Sequence, residues 1–296
     1  MARILIREGS DLHTVRDALR WAEEELVEAG IEFPRRTAEV LLAFVVNRDR
    51  VWILAHPEGL LSRAHSDLLR DLIERRKSRE PLQYITGYQE FFGLRFRVGA
   101  GVLIPRPETE LLVEKTIELG RDLGGKDLRF VDVGTGSGCI AVSVACGLAG
   151  SRGFGVDISF EALGIARQNA LMNGAEDRIE FVCADLLDCF PPEPAFHFVL
   201  SNPPYVSRRG ADMLPREVRD YEPDVALFSG ESGLEIYRPL IRQAAPRLLS
   251  GGCLLMEVGA GQSDEVKGIA REEGLFPEAV LEDLRGIPRC LVARKR

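Results

Sequence analysis

Chemistry-bearing residues gather where short apolar runs of this sequence end. The run Phe198-Val199-Leu200-Ser201 delivers Asn202-Pro203-Pro204-Tyr205. An amide or exocyclic amine nitrogen is a poor nucleophile because its lone pair is delocalised. The Asn202 side-chain oxygen and the Pro203 carbonyl offer two acceptors for the two N–H groups of such a nitrogen, which would fix its orientation. Proline has a fixed φ and no N–H donor, so the segment is stiff. Tyr205 can lay its ring on a flat substrate group. The same residues also suit a rigid turn with Tyr205 in the core; the reading as a site rests on their place at the mouth of a sheet.

A second run, Phe130-Val131-Asp132-Val133, leads into Gly134-Thr135-Gly136-Ser137-Gly138 and then a helix. Glycines let backbone approach a ligand, and the helix start offers unpaired N–H groups. No lysine follows, so this is not a nucleoside-triphosphate loop, and the spacing does not fit G-x-G-x-x-G. Taken alone it could be a tight turn without a ligand. A third run ends Gly155-Val156-Asp157, where a carboxylate is placed to accept both hydroxyls of a ribose or to sit beside a helix cap. A fourth ends at Asp185, which with its neighbour Leu186 could meet an adenine ring.

The elements that must hold these residues follow from periodicity. Thr14 can cap a helix in which Val15, Ala18, Leu19, Ala22, Leu26 and Ala29 recur, closed by Gly30. Further helices are expected over 35–46, over 51–55 behind Asp49, and from Ser62 or Ser66 to before Pro81, giving a small helical bundle. Aromatic and β-branched residues over 83–98 read as a β-hairpin, Val102–Ile104 as a short strand, and Pro107 as the first turn of a helix reaching Leu119. Beyond Gly124, strands over 129–133, 153–156, 179–183, 198–201 and 253–258 alternate with helices over 139–148, 160–172, 234–249 and 263–273. Strands over 279–284 and 289–293 end the chain. Such alternation requires a mostly parallel α/β sheet, here of seven strands, with helices on both faces.

The net charge of −8 falls entirely beyond residue 100, since the first hundred residues hold equal numbers of acidic and basic side chains. A protein gripping a nucleic-acid backbone usually carries a basic face, so the charge argues against direct nucleic-acid binding. No run approaches the ~20 apolar residues that span a bilayer. The opening MARILIREGSDLHTV is broken by Arg7, Glu8 and Asp11 and does not read as a signal peptide. The six cysteines form no C-x-x-C pair and there are four histidines, which points to reduced thiols in a cytoplasmic protein without a metal site.

Strand ends carrying G-x-G-x-G, Asp and Asp resemble those of class I S-adenosylmethionine methyltransferases, a Rossmann-like fold. The resemblance extends along nearly the whole chain to the release factor glutamine methyltransferases (the HemK/PrmC family). It is carried by Pro81-Leu82-Gln83-Tyr84-Ile85-Thr86-Gly87, Glu90-Phe91-Phe92-Gly93-Leu94, Leu103-Ile104-Pro105-Arg106-Pro107-Glu108-Thr109-Glu110 and Val131 to Gly138. Ser201 to Tyr205, Glu222-Pro223 with Ala226-Leu227, and Glu257-Val258-Gly259 with Gln262 complete it. It implies methyl transfer from S-adenosyl-L-methionine, leaving S-adenosyl-L-homocysteine, to the side-chain amide nitrogen (N5) of the glutamine in the Gly-Gly-Gln loop of peptide chain release factors. It implies cofactor contacts at Gly134, Thr135, Gly136, Ser137, Gly138, Asp157, Asp185, Leu186 and Asn202, and a catalytic, glutamine-binding segment Asn202, Pro203, Pro204 and Tyr205. The position after Asp185 is often aromatic in the family and is Leu186 here. The implied organisation is a helical release-factor-docking domain over 1–82, a β-hairpin linker over 83–106 and a methyltransferase domain over 107–296, with residues 104–110 in the active-site wall. Arg75, Arg76, Lys77 and Arg79 then either contact the acidic partner or form a solvated helix C-terminus favoured by its dipole. Asn-Pro-Pro-Tyr alone also fits methyltransferases of DNA adenine, ribosomal RNA and ribosomal-protein glutamine. The acidic balance disfavours the first two, and residues 105–110 disfavour the third. A scaffold that binds the cofactor without catalysis is disfavoured by intact Asn202 and Asp157.

Overall fold

The structure is a computed structural model that describes residues 12–296. The reading of the opening segment falls largely on residues 1–11, outside those described. The chain divides into two compact units, one reaching Thr86 and one spanning Gly87–Arg296.

The first unit is helical. Helix α1 (Val15–Glu28) starts at Thr14, whose hydroxyl accepts from the Asp17 N–H; α2 spans Pro34–Val45. Asp49 caps α3 (Arg50–Ala55) and Ser62, not Ser66, caps α4 (Arg63–Lys77). The apolar stripe of α1 packs with Leu41, Leu42, Leu69 and Ile73 into one core. Residues 83–86, expected to open the hairpin, instead belong to a short helix α5 (Leu82–Thr86). Tyr84 and Ile85 are buried there, so burial against the bundle overrides their β-preference. The basic cluster at the end of α4 is engaged within the unit. Arg75 pairs with Glu80, Arg76 donates to the Glu80 carbonyl, Lys77 pairs with Glu25 and Glu74, and Arg79 donates to the Ala29 and Gly30 carbonyls.

In the second unit, β1 (Tyr88–Phe91) and β2 (Leu94–Arg97) form an antiparallel hairpin. Its two-residue turn, Phe92-Gly93, has positive φ at both positions (51° and 70°), the twist that suits a tight hairpin. The Glu110 carboxylate accepts the Phe92 N–H at 2.8 Å and holds the turn. Val102–Ile104, expected as a strand, is irregular: the Ile104 N–H donates to the Glu222 carboxylate rather than to a ladder. A 3₁₀ turn (Pro107–Thr109) then leads into α6 (Glu110–Asp122).

The α/β body runs β3 (Lys126–Val133), α7 (Cys139–Gly147), β4 (Gly150–Asp157), α8 (Phe160–Met172), β5 (Ile179–Cys183) and β6 (Phe196–Ser201). Short helices α9 (Arg216–Tyr221) and α10 (Asp224–Leu227) follow, then α11 (Tyr237–Arg247), β7 (Leu248–Glu257), α12 (Ser263–Glu272), β8 (Phe276–Glu282) and β9 (Pro288–Arg294). The helix expected from Leu234 begins later because the Glu235 carboxylate ties the Ser232 and Leu234 N–H groups into a turn. The seven strands lie in the order β5-β4-β3-β6-β7-β9-β8, with β9 antiparallel to both neighbours. Helices cover both faces over two buried cores, one around Phe130, Phe198 and Leu255, the other around Val131, Val199 and Leu254. The chain winds outward from β3 through β4 to β5, then returns to β6 on the other side of β3. That reversal leaves a crevice beyond the carboxyl ends of β3 and β6.

Candidate functional site

At this crevice the Ser201 hydroxyl donates to the Val133 carbonyl at 2.7 Å, tying the ends of β6 and β3 together. Asn202 is thereby set beside Gly134. A cavity of about 210 Å³ opens here, lined by Gly134, Thr135, Gly136, Ser137, Asp157, Asp185, Leu186, Asn202, Pro203 and Pro204 among others. Two expected residues lie off it. Gly138 (φ 79°) forms the N-cap of α7, where an added Cβ would come within 3.1 Å of Ala166. Tyr205 lines a neighbouring cavity, shared with Leu103, Arg106, Asn202 and Leu214.

Two buried groups shape the glycine loop from below. Asp132 is fully buried; one carboxylate oxygen accepts from the Thr135 hydroxyl (2.6 Å) and the Ala141 N–H (3.2 Å), while the other has no partner. Burial, with some repulsion from Asp157, pushes its carboxyl up to about 7. Asn169, also buried, donates to the Ser137 carbonyl (2.8 Å) and exchanges hydrogen bonds with the Arg97 backbone, joining loop, α8 and hairpin. Asp157 accepts from the Gly136 N–H at 2.8 Å and the Ser159 N–H at 2.9 Å, so it holds the loop as well as facing the cavity. Asp185 is exposed at the rim. Leu186 has φ 48°, a left-handed backbone rare for a branched residue, and its side chain forms cavity wall.

The Asn202 side of the site has its own supports. Asn202 donates through Nδ2 to Thr109 Oγ1 at 3.1 Å, Thr109 donates to Glu257 Oε2 at 2.6 Å, and the Tyr205 hydroxyl donates to Glu257 Oε1 at 3.0 Å. Glu257 is buried, and burial raises its carboxyl above the ordinary value. Burial and the Glu257 charge push the Tyr205 phenol up, so it stays a donor. Gln262 donates to the Tyr205 and Gly233 carbonyls (3.1 and 3.3 Å) and accepts from the Tyr237 hydroxyl and Gly259 N–H (2.9 and 3.1 Å). Gly233 (φ 84°) is required there, since an added Cβ would lie 2.4 Å from the Tyr205 carbonyl. Glu222 is buried, accepts from the Ile104 N–H and pairs with Arg106, which fixes the 104–109 wall. Asn169 was not singled out from sequence; Thr109, within the expected active-site wall, and Glu222, Glu257 and Gln262 belong to segments that carry the resemblance but were given no individual role. A polar residue closing an apolar strand, as Glu257 closes Cys253–Met256, is the signal that marked Asp157.

A nucleoside with a charged tail fits this donor set. Asp157 can take hydroxyls, Val102, Ile140 and Leu186 give an apolar slot, and a Cβ added at Gly134 would meet no protein atom within 4 Å, so space beside the loop is open. Among the described residues, no group of His, Cys, Asp or Glu is placed to hold a metal ion, and no helix is long and apolar enough to cross a membrane.

Two family profiles match the chain, one described as the PrmC N-terminal domain over residues 17–87 and one as the methyltransferase small domain over 108–216. A release factor glutamine methyltransferase from Koribacter versatilis is 43% identical over 95% of this chain and 99% of that protein. One from Moorella thermoacetica is 40% identical over 96% and 99%. Among solved structures, a methyltransferase from Pyrococcus furiosus aligns with 75% of this chain and 98% of its own at a TM-score of 0.53 and 17% identity, a likeness of fold.

Proposed function

The chain belongs to the release factor glutamine methyltransferase family, and from that premise we propose that it methylates the side-chain amide nitrogen (N5) of the glutamine in the Gly-Gly-Gln loop of peptide chain release factors. The observation that carries the reading is Asn202, set by the β3–β6 junction between the glycine-loop cavity and the cavity holding Tyr205. The second unit has the class I methyltransferase fold, and the methyl donor is S-adenosyl-L-methionine. Bound there, the donor supplies a methyl group on a positively charged sulfur, a good leaving group, and becomes S-adenosyl-L-homocysteine.

Gly134–Ser137 would hold its charged tail, Asp157 its ribose hydroxyls, and Asp185 with Leu186 its adenine end. The chain's own task is then orientation. Asn202 Oδ1 and the Pro203 carbonyl accept the two N–H groups of the glutamine amide, and the stiff prolines keep both acceptors fixed. Tyr205 packs its ring beside the amide while its hydroxyl is held by Glu257. The Tyr205 phenol, pushed up by burial, does not serve as a base; alignment of the nitrogen is the main contribution, and as the N–CH₃ bond forms and the C–S bond breaks the nitrogen gives up one of its two protons to solvent. The helical unit docks the release factor, residues 88–97 form the hairpin after it, and the protein works in the cytoplasm on a protein rather than a nucleic acid.

Purified protein incubated with methyl-labelled S-adenosylmethionine should label unmethylated release factor, and not the same factor with its loop glutamine replaced. Label in DNA or ribosomal protein with none in release factor would overturn the reading.

A further inference from the structure

We propose that Glu257 and Thr109 form a one-way hydrogen-bond relay that decides which end of the Asn202 carboxamide faces the substrate, making both of them positioning residues. The proposal rests on the functional reading above and adds the device that gives Asn202 its polarity.

The logic is one of proton counting. Both Glu257 oxygens act as acceptors, each receiving a hydroxyl: Oε1 from Tyr205 at 3.0 Å and Oε2 from Thr109 at 2.6 Å. A threonine hydroxyl has a single proton. With that proton directed at Glu257, the side of Thr109 Oγ1 facing Asn202 presents lone pairs. The Asn202 atom 3.1 Å away must therefore be the NH₂ group. Asn202 Oδ1 then turns away from Thr109, and Asn202 lines both cavities. Reversing the carboxamide would set its oxygen against the Thr109 lone pairs. It would also present N–H donors to a substrate nitrogen that itself needs acceptors.

Three parts of the chain meet in this relay. Thr109 ends the 3₁₀ turn, Asn202 follows β6 and Glu257 ends β7. Thr109 and Glu257 are buried, so water does not compete for these bonds and the direction of each proton is enforced.

The test is a set of substitutions read in three ways. Thr109→Val keeps the shape and removes the hydroxyl; Thr109→Ser restores it. Glu257→Gln replaces a pure acceptor by a group with one accepting and one donating end, so the relay loses its single direction. With release factor as substrate, Thr109→Val and Glu257→Gln should each lower kcat by ~10²-fold, the scale of a misplaced reacting group. Thr109→Ser should recover most of that loss, and S-adenosylmethionine affinity measured by calorimetry should change by less than about tenfold in all three, well short of the loss in kcat. With ¹⁵N-labelled asparagine, the Asn202 side-chain amide protons should exchange slowly in the wild type and rapidly in Thr109→Val, without any substrate present. Wild-type kcat in Thr109→Val, or a loss in Thr109→Ser equal to that in Thr109→Val, would overturn the relay. A wild-type protein that leaves release factor unlabelled while Asn202 keeps its slow amide protons would overturn the functional reading and leave the relay standing.

Discussion

Replacing Asp132 by asparagine should change how stability responds to pH, by an amount that follows from its surroundings. The carboxyl is fully buried, one oxygen lacks a partner, and its value rises from 3.8 to about 7 in the folded chain. Between those values the folded chain keeps a proton that the unfolded chain has released. A raised carboxyl therefore contributes stability that is complete below the unfolded value and is lost as pH rises through the folded one. The slope is about 1.4 kcal/mol per pH unit, and across this window the loss is on the order of 4 kcal/mol. In Asp132→Asn the side chain stays neutral at every pH, and its oxygen can still accept from Thr135 and Ala141. Both tryptophans, Trp21 and Trp52, lie in the helical unit, so their fluorescence does not follow this site. Hydrogen exchange of β3 and β4 amides does. Comparing the two proteins at each pH cancels the intrinsic exchange rate and the titration of other groups. The wild-type advantage over the variant should shrink steadily from pH 4 to pH 7.5. A difference that stays flat, or grows with pH, would refute the reasoning.

Asp157→Asn leaves one side-chain oxygen for two backbone donors, the Gly136 and Ser159 N–H groups, so the loop loosens and a ribose acceptor is lost. S-adenosylmethionine binding measured by calorimetry should weaken by about 2 kcal/mol, the scale of one hydrogen bond to a charged group; unchanged affinity would remove Asp157 from the cofactor site. Glu222→Ala strands the Ile104 N–H and the Arg106 guanidinium together. Stability of this unit should fall by about 2 kcal/mol, with faster amide exchange confined first to residues 103–109. Gly155→Ala would place a Cβ 2.6 Å from the Phe181 ring and 3.0 Å from Thr135 Oγ1. Thermal stability should drop by an amount equivalent to ~1–3 kcal/mol, and cofactor affinity should drop with it because Thr135 belongs to the loop.

The residues that face the cavity were legible because they sit where a periodic signal stops. Each of Gly134, Asp157, Asp185 and Asn202 follows an apolar run of strand length, and a parallel sheet brings the carboxyl ends of such runs to one edge. Their supports were not legible in the same way. Glu257 reaches Thr109 across 148 positions of chain, and Glu222 reaches Ile104 across 118. Nothing local in either segment announces its partner. The two misread elements fail for a related reason. Val102–Ile104 has the composition of a strand but finds a carboxylate rather than a ladder, and residues 83–86 have hairpin composition but are buried as helix. In both, a tertiary contact outweighs local preference.

Three carboxylates near this edge of the sheet carry three different tasks, and their surroundings decide which. Asp132 lies inside β3, lacks a partner on one oxygen and is pushed toward neutrality, so it acts as packing beneath the loop. Asp157, one strand over, is half-buried and receives backbone N–H groups on both oxygens, which suits a charged residue that both holds the loop and meets a ligand. Glu257 is buried as deeply as Asp132, yet both its oxygens receive hydroxyls, and those hydroxyls belong to side chains that touch the Asn202 end of the site. The difference between Asp132 and Glu257 is thus in donors rather than in depth. Burial raises both carboxyls and each receives two hydrogen bonds, but those of Glu257 fall on both oxygens and those of Asp132 on one, which leaves the other Asp132 oxygen unfilled. The methyl-donor side and the amide side of the crevice therefore have separate hydrogen-bonded supports, while Thr109 and Asn202 line the glycine-loop cavity as well. Loop residues 134–138 answer to Asp132, Asp157 and Asn169, while residues 202–205 answer to Thr109, Glu257 and Gln262. The two sets are joined at the strand ends by the Ser201 hydroxyl on the Val133 carbonyl. Removing that hydroxyl should shift the amide acceptors relative to the loop without disturbing either support set.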